Sequence, residues 1–230
     1  MARKKIVLVI VEGPSDDTAL GIGLFQVFDK DKVYIHIMHG DITTRNGVTA
    51  SNIVSKIGDE VRKYARSQHY KSSDFKQIIH IVDMDGAYIP DEKIYKGSGL
   101  SKVTYESDGI YTENVDGLKE RNDLKRKNLS KLRSQGTIWK VPYRVYYMSC
   151  NLDHVLYDKQ NNSDDDKKRD ALYFAKRYKN RLEEFLIFIS QSGFSVNGTL
   201  KESWEFIRKD LHSLERHTNL GLCFDQIETK

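Results

Sequence analysis

Acidic side chains directly follow two apolar runs of the sequence. Glu12 comes after the run Ile6–Val11 (IVLVIV). Asp83 and Asp85 follow the run at residues 77–82 (QIIHIV). If these runs are neighbouring strands, three carboxylates meet at one sheet edge with no Lys or Arg between them. Because such carboxylates repel one another and offer hard oxygen ligands, we expect them to bind Mg²⁺ or Mn²⁺, which can activate water against a phosphodiester.

The apolar pattern also predicts the elements that carry these acids. The first run has no polar face, as in a parallel strand that helices cover on both sides. Further strands are predicted over residues 33–38, 77–82 and 141–148, and the main intervening helices over 15–28, 50–67 and 117–134. This alternation predicts an α/β fold with a mostly parallel four-stranded sheet sandwiched by helices. Sites in such sheets lie beyond the carboxyl ends of the strands.

Two regions are expected along the chain. Residues 1–158 would form the catalytic domain, with a loop-rich insertion at about 87–116 that carries a short hairpin. Residues 159–230 have apolar residues at helical spacing, so we expect an α-helical C-terminal region that packs on the first domain or on a partner.

The two acidic motifs together resemble the Toprim domain. The segments IVLVIVEGPSDD and IIHIVDMDG contain its signature, a Glu after the first strand and a DxD after the third. The chain is most similar to small standalone OLD/RloB-like Toprim nucleases of bacterial defence loci, and the resemblance covers roughly residues 4–150. It implies that Asp83 and Asp85 are metal ligands, that Glu12 is a ligand or a general acid/base, and that Asp16 is a ligand for a second ion.

A further resemblance lies at residues 148–157 (MSCNLDHVLY). Defence-locus Toprim proteins often follow the fourth strand with a polar, acidic, helical block. The resemblance implies that Asp153 is an additional metal ligand and places His154 at the same sheet edge. The alternative is that Asn151 caps a helix whose Asp153 and His154 are simply exposed.

Positive charge is concentrated in two later runs. Residues 117–134 contain seven Lys and Arg against two acids, and residues 167–181 contain another seven. Basic runs bind phosphate backbones by releasing counterions, although a solvated helix face is the alternative. We expect the second run to be an ordinary surface. In the first run, nucleic-acid contacts are predicted for Arg121, Lys125, Arg126, Lys127, Lys131 and Arg133.

Composition limits the remaining classes of function. The chain has 230 residues, a formal net charge of +4 and two Cys, which favours a reducing, cytoplasmic compartment. No apolar run approaches the ~20 residues of a membrane span, and the first run is read as a strand rather than a secretory signal. No GxxxxGK[ST] loop occurs, so ATPase activity would require a separate subunit. The apolar stripe formed by Leu200, Trp204, Ile207, Leu211 and Leu214 is typical of core packing, and the alternative is a surface for a second copy, as in a homo-oligomer, or for a partner.

These observations predict a Mg²⁺- or Mn²⁺-dependent endonuclease that cleaves DNA or RNA. The resemblance further suggests an effector of bacterial anti-phage defence by abortive infection. One alternative is a non-catalytic Toprim-like regulatory or partner-binding subunit. A second is a HAD-type phosphatase, because DMDG resembles the start of that domain; about eighty residues precede the motif here, and Glu12 would remain unexplained.

Overall fold

The structure, a computed structural model, describes residues 4–28, 32–37 and 40–224. Within them the chain has an α/β fold with seven helices and a mostly parallel five-stranded sheet. The strands are β1 (Ile6–Val11), β2 (Lys32–Ile37), β3 (Phe75–Asp83), β4 (Ile94–Lys96), β5 (Thr104–Glu106), β6 (Gly109–Thr112), β7 (Thr137–Ile138) and β8 (Val141–Met148). The helices are α1 (Pro14–Val27), α2 (Ile53–Ser67), α3 (Val115–Arg133), α4 (Leu152–Tyr157), α5 (Asp164–Tyr178), α6 (Leu182–Gln191) and α7 (Leu200–Phe206).

The main sheet has the strand order β2-β1-β3-β8-β7. The first four of these strands are parallel, and β7 pairs antiparallel with β8. Strands β1 and β3 are therefore neighbours, which is the condition on which the predicted meeting of the acids depends. The expectation of four strands misses β7, because a two-residue strand leaves no pattern. Met38, the last residue of the predicted second strand, lies outside the described residues.

Helices cover both faces of the sheet, as the unbroken apolar run of β1 predicts. Val7, Val9 and Val11 pack in one cluster with residues of α1, α5 and α6. Ile6, Leu8 and Ile10 pack in a second cluster with residues of α2, α3 and α7. Every residue of β1 is at most 2% exposed. The position of Glu12, which directly follows this strand, is therefore set by a fully packed element.

The insertion contains the predicted hairpin. Strands β5 and β6 pair antiparallel, and β4 joins β6 to make a small three-stranded sheet. Ile94 and Ile110 of this sheet pack with Leu118 of α3 and with Leu214. The insertion is thereby attached to the rest of the chain through apolar contacts.

The C-terminal region is less helical than its apolar spacing predicts. Helix α7 ends at Phe206, and turns lead to a 3₁₀ segment at Leu220–Cys223. Asp210 has a left-handed backbone (φ 45°), which an α-helix excludes. Leu211 and Leu214 pack against the insertion instead of continuing the stripe of α7. Helices α5 and α6 lie on the main core, on the same face of the sheet as α1.

Candidate functional site at the carboxyl edge of the sheet

Glu12 and Asp83 lie side by side where β1 and β3 end. Because the two strands are parallel neighbours, both acids emerge at the same sheet edge. The backbone N–H of Asp83 donates a hydrogen bond to Oε1 of Glu12 at 3.2 Å. The backbone N–H of Leu152, at the start of α4, donates to Oδ1 of Asp83 at 3.0 Å. The expected meeting of these two carboxylates is confirmed, and backbone donors hold them in place.

These two acids line an open cleft of about 500 Å³. One wall is the start of α1, and the other is the start of α4 together with α5. The cleft brings together four of the five predicted metal ligands with one lysine. Its charged lining residues are Glu12, Asp16, Asp83, Asp153 and Lys167.

Asp16 has a structural role as well as a place in the cleft. Its Oδ2 atom accepts a hydrogen bond at 2.9 Å from the backbone N–H of Gly13, the residue before α1. An acid in the first turn also suits the helix dipole. Asp16 is therefore held at the cleft wall by a capping contact.

Asp153 and His154 are both buried, so the alternative that they are exposed is wrong. Asn151 does cap α4, since its side chain accepts from the N–H of His154. Oδ2 of Asp153 lies 3.6 Å from Nζ of Lys167 across the cleft. Burial lowers the pKa of His154 to about 4, so its imidazole is neutral at pH 7. His154 is not among the residues that line the cleft.

Asp85 is neutralised by a buried lysine that the acidic motif did not predict. Nζ of Lys125, from α3, lies 2.5 Å from Oδ2 of Asp85 and 2.8 Å from Oδ2 of Asp41. Lys125 is completely buried, and the carboxylates raise its pKa although burial opposes this. Burial would raise the pKa of Asp41, but Lys125 lowers it to about 2. The expectation of an edge without Lys or Arg is therefore wrong.

The backbone at Asp85 adopts a conformation that L-residues rarely use. Its φ is +48°, in the left-handed region, and its N–H donates to the carbonyl of Cys150 at 2.6 Å. Arg121 donates to the carbonyl oxygen of Asp85 at 2.8 Å, and the hydroxyl of Tyr105 donates to Oδ1 at 3.3 Å. These contacts hold the Asp85 side chain toward Lys125, and Asp85 does not line the cleft.

The protein raises the pKa values of Glu12 and Asp83, whereas it lowers that of Asp41. Burial raises the pKa of Glu12 well above its ordinary value, and Asp41 and Asp85 add to the rise against an opposing contribution from Lys125. Burial, then Glu12 and Asp16, similarly raise the pKa of Asp83. Among the described residues, no basic side chain forms an ion pair with either acid. A bound cation would relieve this repulsion.

The six residues of helix α3 that are predicted to contact nucleic acid lie in two environments. Arg121 and Lys125 face Asp85, whereas Arg126 and Arg133 are partly exposed and Lys127 and Lys131 are exposed. The prediction that Lys125 contacts nucleic acid is wrong, because the side chain is buried between two carboxylates. Arg121 is about three-quarters buried against the same acid. Of the six predicted contacts, the four that can meet a ligand from solvent are Arg126, Lys127, Lys131 and Arg133.

Ser213 joins the ends of the two central strands. Its carbonyl oxygen accepts hydrogen bonds from the N–H groups of Gly86, just after β3, and of Cys150, just after β8, each at 3.0 Å. Its Oγ atom accepts from the N–H of Tyr88, also at 3.0 Å. The segment that contains Asp85 is thereby fixed by a residue of the C-terminal region.

The carboxylate oxygens of Glu12 and Asp83 are the kind of ligand that a hard divalent ion such as Mg²⁺ prefers. No group of three His, Cys, Asp or Glu side chains forms a complete metal site within the part of the chain that the structure describes. Mg²⁺, however, usually binds one or two carboxylates and completes its shell with water and substrate phosphate oxygens. Two partly buried carboxylates with raised pKa values and access to a cleft meet that requirement.

Helices that combine the length and the apolar character needed to cross a membrane do not occur among the described residues. Comparison with known proteins identified no matching family model, curated protein or solved structure.

Proposed function

We propose that the chain is a metal-dependent nuclease with a Toprim-like fold, which cleaves phosphodiester bonds of nucleic acid. The observation that carries this proposal is the contact between Glu12 and Asp83 at the carboxyl edge of two adjacent parallel strands. Two carboxylates with raised pKa values face a cleft there, which is the arrangement that hard divalent ions favour. The resemblance of the two acidic motifs to the Toprim signature supports the same conclusion.

In this proposal, Glu12 and Asp83 hold Mg²⁺ or Mn²⁺. The ion, when bound, supplies charge neutralisation at the phosphodiester and lowers the pKa of water. Asp16 has a pKa that burial raises to about 6, with a contribution from Asp153, so its carboxyl can accept or donate a proton near neutral pH. Lys167 lies at the cleft and can contact a phosphate oxygen. Lys125 keeps Asp85 and the adjoining backbone in place.

The test is a cleavage assay with purified protein on plasmid DNA, tRNA and single strands, with Mn²⁺ or with EDTA. We expect cleavage of at least one substrate with Mn²⁺ and none with EDTA. Glu12→Gln and Asp83→Asn should each abolish it. Asp17→Asn, a neighbouring acid of α1 that does not line the cleft, is the matched control and should retain activity. Cleavage that persists in both cleft variants would overturn the assignment.

One observation favours a second candidate, a non-catalytic Toprim-like regulatory or partner-binding subunit. Lys125 already neutralises Asp85, so part of the acidic edge serves the stability of the fold. This candidate predicts that Mg²⁺ raises the melting temperature while every nucleic-acid substrate stays intact. A parallel assay on p-nitrophenyl phosphate tests the HAD-type phosphatase, which alone predicts its hydrolysis.

The resemblance to defence-locus proteins extends the proposal to a biological role. In this role the nuclease acts as an effector of bacterial anti-phage defence, beside a separate ATPase subunit. An ATPase gene adjacent to the gene for this chain, and co-purification of the two products, would support it.

A further inference from the structure

We propose that Arg126, Arg133 and Arg208 form a binding site for the phosphate backbone of nucleic acid around the side chain of Tyr88. This inference rests on the proposed function only for the identity of the ligand, and it names the surface that seats the substrate. Arg208 was not predicted from the sequence, because it lies outside both basic runs. The site therefore shares Arg126 and Arg133 with the α3 residues that the sequence predicts, and adds Arg208 and the ring of Tyr88 to them.

Three separate segments build the cluster. Tyr88 follows the acidic motif, Arg133 ends α3, and Arg208 follows α7. The guanidinium carbon of Arg208 lies 5.7 Å from the centre of the Tyr88 ring, and the charge of Arg133 is close enough to lower the pKa of the Tyr88 hydroxyl against the rise that burial causes. Nη1 of Arg126 donates to the carbonyl of Ala87 at 3.2 Å. The fold brings the three guanidinium groups to one place.

The charges of the cluster are incompletely balanced. In the described part of the chain, neither Arg133 nor Arg208 forms an ion pair with a carboxylate. Arg126 lies 3.9 Å from Asp123, but that acid is 2.5 Å from Lys127. Burial raises the pKa of Tyr88, and all three arginines oppose the rise, which agrees with their convergence on its hydroxyl. Like charges held together repel one another, and an anion would relieve the repulsion.

The cluster is pre-organised rather than a set of loose surface side chains. The Arg133 guanidinium lies 5.2 Å from the ring centre of Trp204, which is only 2% exposed. Arg126 is oriented by the Ala87 carbonyl, and the backbone of Tyr88 is held by Ser213. A planar guanidinium in a fixed orientation loses little further freedom when it binds a phosphate oxygen.

Position and shape favour a nucleic-acid backbone over a small free phosphate. Tyr88 is three residues beyond Asp85, and three residues span at most ~11 Å, so the cluster adjoins the acidic edge. Arg208 is exposed, whereas Arg126 and Arg133 are partly buried, so all three residues have surface that solvent reaches. An extended polyanion can contact such a surface at successive phosphates while another phosphate lies near Glu12.

The experiment measures binding in EDTA, where metal-dependent cleavage cannot occur. A fluorescein-labelled polythymidine strand is titrated with wild-type protein, Arg133→Gln/Arg208→Gln and Lys176→Gln/Arg177→Gln at several NaCl concentrations. The control pair removes the same charge from exposed positions of α5, and its Arg177 also lies over a tyrosine ring. Melting temperatures identify unfolded variants. Arg208→Gln alone keeps the proposal testable if Arg133→Gln destabilises the contact with Trp204.

We expect the Arg133/Arg208 variant to bind about tenfold more weakly, and its salt dependence to fall by about 0.7 per lost phosphate contact. Arg208→Gln alone should lose part of this affinity, and the control pair should bind within about twofold of wild type. Equal losses in both double variants, or no loss in Arg208→Gln, would overturn the inference. Inorganic phosphate should compete only weakly; tight binding of it at the cluster would also overturn the inference.

Failure of this inference is separable from failure of the proposed function. Binding that depends on the cluster, together with no cleavage under any metal condition, keeps the inference and removes the nuclease. Metal-dependent cleavage, together with binding that is unchanged in the cluster variants, keeps the nuclease and removes the inference.

Discussion

The Nζ atom of Lys125 lies 2.5 Å from Oδ2 of Asp85, inside the fold and out of contact with solvent. A lysine ammonium thus occupies the place beside Asp85 where the DxD pattern predicts a metal ion. The acidic edge is consequently divided into two parts. Asp41 and Asp85 share an internal cation, while Glu12 and Asp83 face the cleft without one in the described part of the chain.

Removal of the internal cation should destabilise the protein strongly. Lys125→Met removes the buried ammonium that Asp41 and Asp85 share and leaves Arg121, 4.0 Å from Asp85, as the remaining cation beside Asp85. The loss of one partner from a buried pair costs about 3–5 kcal/mol. Chemical denaturation at pH 7 measures the free energy of unfolding. Lys127→Met is the matched control, since Lys127 is 65% exposed and its pair with Asp123 should contribute at most ~1 kcal/mol. Similar losses in the two variants would contradict the buried role of Lys125.

One divalent ion per chain is expected, because Lys125 blocks Asp85 as a ligand. Calorimetric titration with Mn²⁺ should give a stoichiometry of one for wild type and for Asp85→Asn. Glu12→Gln should lose the binding event. A stoichiometry of two that falls to one in Asp85→Asn would show that Asp85 is a ligand and that the internal pair opens.

Stability should depend on pH through Asp41. Its pKa in the folded protein is about 2, below the ordinary 3.8, so the Asp41 carboxylate contributes stability above pH 3.8 that is lost as the pH falls toward 2. We expect Asp41→Asn to reduce the free energy of unfolding by about 2 kcal/mol at pH 7. The difference in free energy of unfolding between Asp41→Asn and wild type should become smaller below pH 4. Asp59→Asn, at an exposed ion pair on α2, is the control and should cost at most ~1 kcal/mol at pH 7.

The contact between α1 and α6 can be tested with two glycines of one helix. A Cβ atom at Gly23 would lie 2.5 Å from the Phe185 ring, whereas at Gly21 its nearest neighbour would lie at 3.5 Å. Gly23→Ala should therefore destabilise by about 1–3 kcal/mol through overpacking. Gly21→Ala should be neutral or stabilising by up to ~1 kcal/mol, because Ala is the better helix former. Thermal or chemical denaturation of the pair measures the difference, and equal values would contradict the packing.

The strands that carry the acids were predictable, because burial on both faces leaves a clear sequence pattern. The bounds of β1 and β8 agree with the prediction at both ends, and Glu12 and Asp83 meet as expected. The short strand β7 and the end of α7 were not predictable in this way. A two-residue strand has no periodicity, and apolar spacing continued past the point where the backbone turns at Asp210.

The role of Lys125 was missed because it depends on a contact with Asp41, 84 residues away in the chain. Locally, both residues lie in polar stretches typical of a surface. A signal was nevertheless present: Lys125 falls in the series Leu118, Asn122, Lys125, Leu129 and Leu132, whose spacing of three and four residues defines the buried face of α3. A basic residue on an apolar stripe indicates a buried ion pair.

The hydrogen bonds of Ser213 have a consequence for synthesis of the chain. Gly86 and Cys150 belong to segments made early, yet both depend for their N–H partner on a carbonyl more than sixty residues later. During translation these two hydrogen bonds cannot form until residue 213 has left the ribosome. Premature termination anywhere before that point would leave the segments after β3 and β8 without the residue that joins them.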